Sequence, residues 1–297
     1  MSDEAIRYRD RPSGEVVAEP VVAEGALRFL YGNPLGRALV WLLLKRPIVS
    51  RWYGWLQSRP RSRRKIPAFV ARLGVDAREA DRPLADYQSL NDFFTRRLRP
   101  ECRPINTDPN ALVSPVDGRT LILPNLDPSA PLRIKNSQVR LAALLQCDKA
   151  AAPYAGGTAI VFRLAPADYH RFHFPDSGSA SPSREVGHGL HSVHTIALLG
   201  GAPCFLNQRM ISYLDSPTLG RLAIIEVGAM LVGGIRQTYT PGPVIRGSEK
   251  GFFCFGASTV IILIEPNRVR MDDDLLRDSA AGLETLVKVG SRIGTRV

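Results

Sequence analysis

Residues 255–264 read Phe255-Gly256-Ala257-Ser258-Thr259-Val260-Ile261-Ile262-Leu263-Ile264. Small residues make a turn, and an unbroken aliphatic run follows, which reads as a buried strand opened by two hydroxyl residues. A hydroxyl on such a turn is held rigidly. Working outward, further strand-like runs stand between turn signals at 112–113, 159–164, 222–227 and 230–235. Ser216-Pro217-Thr218-Leu219-Gly220 reads as a hairpin loop joining 210–214 to 221–227. A helical stretch at 140–145 interrupts this texture. Residues 106–297 therefore read as a β-rich, largely antiparallel catalytic core.

The preceding segment differs. Residues 26–105 read as helical pieces broken by Pro34, Pro47, Pro60, Pro67 and Pro83. Ser89 is placed to cap a helix with Asp92 three residues on, and Leu90, Phe93, Phe94 and Leu98 line one face. Arg96, Arg97 and Arg99 fall mostly off that stripe. Residues 1–25 mix acidic and basic residues without an apolar stretch, so they read as a disordered tail and not as a signal peptide. The expected fold class is α+β: an N-terminal helical, membrane-associating region followed by the sheet core.

The 297 residues carry a net charge of +11, which implies an acidic partner. Between residues 25 and 65 lie ten Lys or Arg, no Asp or Glu, and all three tryptophans, Trp41, Trp52 and Trp55. Basic side chains reach anionic headgroups while indoles settle at the interface. A nucleic-acid groove would also use basic and aromatic residues, but the apolar run at 39–44 is not its polar matrix. A core helix with a basic rim remains an alternative. That run is far shorter than the ~20 residues of a membrane span, so membrane attachment is expected to be peripheral. Four cysteines, Cys102, Cys147, Cys204 and Cys254, lie far apart with no CxxC pair, which fits a reducing compartment and the cytoplasmic face of the cell membrane.

Three segments bear chemistry. Asp117 sits in Ser114-Pro115-Val116-Asp117-Gly118-Arg119, where a turn aspartate bonding its own backbone is the plain alternative. His170 and His173 lie three residues apart in Asp168-Tyr169-His170-Arg171-Phe172-His173, and imidazole is the side chain suited to moving protons near neutral pH. HxxH could also supply metal ligands, with His188, His191 and His194 as a further group, yet no cysteine or carboxylate cluster stands at metal-site spacing. No metal is expected. Ser258 completes an Asp-His-Ser set in which His takes the hydroxyl proton and Asp orients the ring. A serine hydrolase is one inference, although Gly-x-Ser-x-Gly is absent because Val260 follows.

At these residues the chain resembles the phosphatidylserine decarboxylases. The resemblance runs through Asn91-Asp92-Phe93-Phe94-Thr95-Arg96-Arg97-Leu98, the Asp117 and His170 segments, Val227-Gly228-Ala229-Met230-Leu231-Val232-Gly233, and Lys250-Gly251 leading to Phe255-Gly256-Ala257-Ser258-Thr259. It implies that Asp117 and His173 activate Ser258 to cleave the chain between Ala257 and Ser258. The products would be residues 1–257 and 258–297, with Ser258 converted to a covalent pyruvoyl group. The enzyme would be a pyruvoyl-dependent carboxy-lyase that turns phosphatidylserine into phosphatidylethanolamine and carbon dioxide through an imine, with His170 a proton donor. The implied partners are phosphatidylserine in an anionic membrane and the enzyme's own short chain 258–297. No nucleic acid is implied, and a homo-oligomer is compatible with the sequence. The family carries Gly where Ala257 stands, so cleavage is expected to be slower, and a non-catalytic relative stalled at Ala257 is a further alternative. His194-Thr195 and Asn207-Gln208-Arg209 also depart from the family's residues.

Overall fold

The computed structural model describes residues 6–20, 24–44, 46–230, 234–256 and 258–297. One eleven-stranded sheet organises them. In chain order its strands are β1 (Arg7–Asp10), β2 (Val16–Ala18), β3 (Gly118–Leu123), β4 (Thr158–Leu164), β5 (Gly178–Ala180), β6 (Arg184–Val186), β7 (Arg209–Ser216), β8 (Gly220–Val227), β9 (Gly242–Val244), β10 (Ser258–Ile264) and β11 (Glu284–Val287). Across the sheet the order is β9-β5-β7-β8-β10-β4-β3-β11-β1-β2, with β6 paired to β7. The pairings are antiparallel except β1 beside β11, which is parallel.

The run that opened the sequence reading is the central strand. β10 pairs with β8 on one side and β4 on the other, and all seven of its residues are buried. Alternate side chains point to opposite faces. Ile261 and Leu263 enter a cluster with Leu141, Leu144, Leu145, Tyr154 and Phe205. Val260, Ile262 and Ile264 enter another with Phe172, Phe253, Met271 and Leu275. Each face is covered, which is why the strand has no polar alternation; each such side chain stabilises the fold by about 1.5–3 kcal/mol. The hairpin is as expected: β7 and β8 are joined by 217–219, and Gly220 supplies a φ of +73°. The strand expected over 230–235 falls partly on 231–233, outside the described residues, and a strand is present at Ile235–Gln237.

The N-terminal helices follow their prolines. They are α1 (Glu24–Gly32), α2 (Pro34–Leu39), a π-helical turn at Val40–Leu44, α3 (Pro47–Gln57), a 3-10 turn at Pro60–Lys65, α4 (Ile66–Leu73) and α5 (Leu90–Phe94). Proline opens α2, α3 and the 3-10 turn, where its missing N–H costs nothing. Ser89 caps α5 through Asp92 N–H at 3.1 Å, while the Asp92 carboxylate accepts from Gln88 N–H at 2.8 Å. Arg96 differs from expectation: it is buried, its guanidinium over the Phe93 ring.

The expected disordered tail is corrected over its described part. Residues 6–20 form β1 and β2 on the sheet edge, and Arg9 and Arg11 pair with Asp278, Asp272 and Asp274. Glu19 is buried and shares Arg163 with Glu284, at 2.7 and 2.6 Å. The mixed charges that looked like disorder are complements of groups more than a hundred residues away. Burial would raise the Glu19 carboxyl, but Arg163 overrides it and holds it down to about 2. Its contribution to stability is therefore present above its ordinary 4.5 and lost as pH falls from there toward 2. Arg163→Met would strand two buried carboxylates, and urea denaturation should show a loss of about 3–5 kcal/mol.

Candidate active site

Ser258 is the first residue of β10, fully buried, with its backbone fixed opposite Leu164 of β4. Its Oγ lies 3.4 Å from Nδ1 of His170. The other ring nitrogen of His170, Nε2, lies 3.1 Å from the Ala165 carbonyl. A carbonyl only accepts, so Nε2 carries the proton and Nδ1 presents its lone pair to the serine hydroxyl. Phe94 of α5 stacks on the imidazole with centroids 3.9 Å apart. Burial, then the nearby charge of Arg96, pushes the His170 pKa down to about 3, so the ring is neutral.

The segment just before Ser258 is also anchored. Phe255 N–H donates to Asn91 Oδ1 at 2.8 Å, and the Phe255 ring packs among Phe94, Phe69 and Tyr53 at 4.9, 6.2 and 6.0 Å. Gly256 takes a φ of +136°, a conformation that favours glycine. Ala257 lies outside the described residues. Nearby, a side chain at Gly251 would meet the Arg236 carbonyl at 2.2 Å, so the strand pairing there requires glycine.

The two histidines of the motif do not share a face. Arg171–His173 is a short strand, and a three-residue offset on a strand reverses the side. His170 and Phe172 point inward and are buried, whereas Arg171 and His173 are only partly so. This parity places His170, and not His173, against Ser258. The His173 ring stacks on Tyr169 at 5.8 Å, its backbone N–H donates to the Pro115 carbonyl at 2.9 Å, and its Nδ1 is buried with no hydrogen-bond partner among the described residues. Burial lowers its pKa, opposed by Glu249 and Asp117.

Asp117 is buried in the turn before β3, two residues past Pro115. It does not bond its own turn. Its carboxylate accepts from Arg103 Nε and Nη2 at 2.9 and 2.5 Å, from Val289 N–H at 2.8 Å and from Lys288 Nζ at 3.5 Å. Burial raises its pKa, but the Arg103 hydrogen bonds overcome that and hold it below the usual carboxylate range. It makes no hydrogen bond to either imidazole, so the expected Asp–His–Ser relay is not joined by contact; the Asp117 charge acts on both rings from a distance. Arg103 gave no signal in the sequence, since an isolated arginine 14 residues upstream of its partner has no readable spacing. Arg96 and Phe94 were visible only as parts of a helix.

Of the other histidines, His194 has a structural duty and His191 is held by its backbone. His194 accepts from Ile196 N–H at 3.2 Å and caps the helix Thr195–Leu199, and Asn207 bonds both the N–H and the carbonyl of His191 at 2.8 Å. Among the described residues no group of three or more His, Cys, Asp or Glu is gathered to hold a metal ion.

A serine with no solvent exposure cannot meet an external ester or amide in this state. A carbonyl of its own chain remains a possible target, so the fold and site fit the class of serine proenzymes that process themselves. The comparisons agree. Residues 90–295 match the family model for phosphatidylserine decarboxylase. The chain is 44% identical over 291 residues to a phosphatidylserine decarboxylase proenzyme of Chlamydia felis, covering 97% of each. It is 40% identical to that of Fusobacterium nucleatum, covering 99% of each, and 39% identical to that of Desulfitobacterium hafniense, covering 98% of each. This chain belongs to the phosphatidylserine decarboxylase family.

Proposed function

We infer that the protein is a lyase, made as a proenzyme, that decarboxylates phosphatidylserine to phosphatidylethanolamine after cutting itself between Ala257 and Ser258. The observation that carries this is the burial of Ser258 at the head of a core strand with its Oγ facing the free nitrogen of His170. Intact mass spectrometry tests it: fragments covering 1–257 and 258–297 are expected, the second with a blocked N-terminus. A single uncut chain under all conditions overturns it.

In processing, Ser258 Oγ attacks the Ala257 carbonyl carbon; the peptide C–N bond breaks as the ester forms, and the hydroxyl proton ends on the departing nitrogen, which becomes the free amine of Ser258. Loss of the Ser258 α-proton then breaks Cβ–Oγ, and the electron pair leaves on the Ala257 carboxylate. Water addition and release of ammonia leave a pyruvoyl group at position 258. The site fits that group, because the strand fixes its backbone and the buried guanidinium of Arg96, whose charge acts on His170, has nitrogens with no partner among the described residues. Once formed it supplies an electron sink for the carbon that loses carbon dioxide.

His170 holds the Ser258 hydroxyl in the proenzyme and later delivers the proton that replaces carbon dioxide. Its neutral state is a property of the closed site, and an anionic lipid beside it raises its pKa again. We assign His173, whose Nδ1 has no partner among the described residues, and the Asp117 charge to the processing step, both acting without contact to Ser258 in this state. After the cut, residues 258–297 stay in place through the β10 ladders, the pairing of β11 with β3 and β1, and the strand Arg292–Arg296 on Ala111–Val113.

The N-terminal helices serve as the contact with a lipid surface, a peripheral attachment at the cytoplasmic face of an anionic membrane. Supporting this, Leu35, Trp41, Leu42, Leu43, Ile48 and Trp52 are exposed at 52–75%, and no helix among the described residues is long and apolar enough to cross a bilayer. The same α3 that exposes Ile48 and Trp52 packs Tyr53 against Phe255, so the reacting segment lies about one helix diameter, ~10 Å, beneath that face. A groove of about 650 Å³ lined by Trp55, Asn91, Thr95, Arg236 and Cys254 opens beside Asn91, which holds the Phe255 N–H, and we assign the headgroup to it. Replacing Ile48 and Trp52 by Ser should reduce sedimentation with phosphatidylserine vesicles about tenfold or more while leaving self-cleavage intact; unchanged vesicle binding would refute the assignment.

A further inference from the structure

We propose that Arg96 is a carboxylate-binding residue of this site, its guanidinium receiving a carboxylate formed or bound beside position 258. The proposal rests on the decarboxylase reading and names what that reading leaves open. Arg96 is 4% exposed. Its Nη2 donates to the Ala167 and Asp168 carbonyls at 3.2 and 3.4 Å, the turn that leads into His170. Nε and Nη1 are buried and have no hydrogen-bond partner among the described residues. A buried cation with two unused donors costs several kcal/mol unless a partner arrives.

Among the described residues, the carboxylates whose charge reaches Arg96 are all engaged elsewhere. Asp117 is taken by Arg103, Lys288 and Val289 N–H. Asp168 is taken by Arg119 and Ala165 N–H. Glu79 pairs with Arg103. Their charges reach Arg96 without contact, and desolvation dominates, lowering its pKa.

The placement points to the reaction. Described residues on both sides of Ala257 are tied to α5: Phe255 lies on Asn91 and Phe94, and Ser258 is linked to it through His170, which stacks on Phe94. Arg96 follows Phe94 by two residues and grips the turn on the far side of His170. The reaction itself brings two carboxylates to position 258. One is generated on Ala257 when Cβ–Oγ breaks; the other is that of the substrate serine, held until its C–C bond breaks and its electron pair passes to the sink. Either would also cancel the charge that, after burial, does most to keep His170 unprotonated. Binding the anion and arming the proton donor would then be one event.

The test uses full-length wild type, Arg96→Gln and Arg96→Lys. Cleavage is followed by intact mass, and the processed fraction is assayed for KM with phosphatidylserine in mixed micelles and for inhibition by phosphatidylethanolamine, which lacks the carboxylate. Arg96→Gln is expected to lose about 30- to 100-fold in one step, with Arg96→Lys recovering much of it. Slow cleavage with normal turnover of the processed fraction assigns the Ala257 carboxylate. Normal cleavage with a raised phosphatidylserine KM and unchanged phosphatidylethanolamine inhibition assigns the substrate's. Rates within about twofold of wild type in both steps overturn the role of Arg96 alone. Equal losses in Lys and Gln, with weakened inhibition by phosphatidylethanolamine, overturn it in favour of a structural brace. Wild type that neither cleaves nor turns over refutes the decarboxylase reading itself.

Discussion

Ser258→Ala should remain a single chain of 32.6 kDa and release no carbon dioxide from phosphatidylserine. Both losses follow from one missing atom, since Oγ is at once the nucleophile of the cut and the atom whose departure creates the electron sink. The fold should survive: among the described residues Oγ is within hydrogen-bond range only of His170, at 3.4 Å, and a bond that long contributes no more than about 1 kcal/mol. Near wild-type thermal stability combined with an uncut mass is the expected pair of results. A cut in Ser258→Ala would show that another residue performs the attack.

His170→Gln should depress turnover by about 10²–10⁴-fold, the range of a positioned acid or base. Glutamine can still donate to the Ala165 carbonyl in place of Nε2–H, so the turn is kept while the proton-carrying ring is lost. Processing should suffer less, because holding the hydroxyl is a smaller contribution than moving a proton. His173→Gln should show the reverse, slow cleavage and a processed fraction that turns over. The two variants measured side by side, by mass and by carbon dioxide release, separate the roles. If His170→Gln stops cleavage and His173→Gln leaves it untouched, His170 is the processing base and the assignment is reversed.

The core was readable where the signal is local. An aliphatic run after a turn is a buried strand wherever both faces are covered, and β10 is one. Proline-broken helices begin at their prolines because the first turn has no use for the missing N–H. Residues 6–20 were misread for the complementary reason. Glu19, Arg9 and Arg11 have no partners nearby in the chain, and their order comes from Arg163, Asp278, Asp272 and Asp274. Arg96 was misplaced similarly, since helical periodicity ends with α5 while the chain turns inward under the His170 loop.

By itself the sequence pointed to Ser258 as the reacting residue and determined the strand that carries it, the family and with it the reaction class, and the pool of histidines and acids from which the proposed site is drawn. Those depend on residue types and short spacings, which the chain carries in order. The tertiary structure decided which histidine meets the serine, what holds Asp117, and where an unpaired guanidinium waits. Strand parity turns His170 in and His173 out, and Arg103 and Arg96 reach the site from the helical region. These are contacts between elements distant in the chain, set by how the sheet faces are covered. Ser258 thus owes its identity to the sequence and its buried surroundings to the fold.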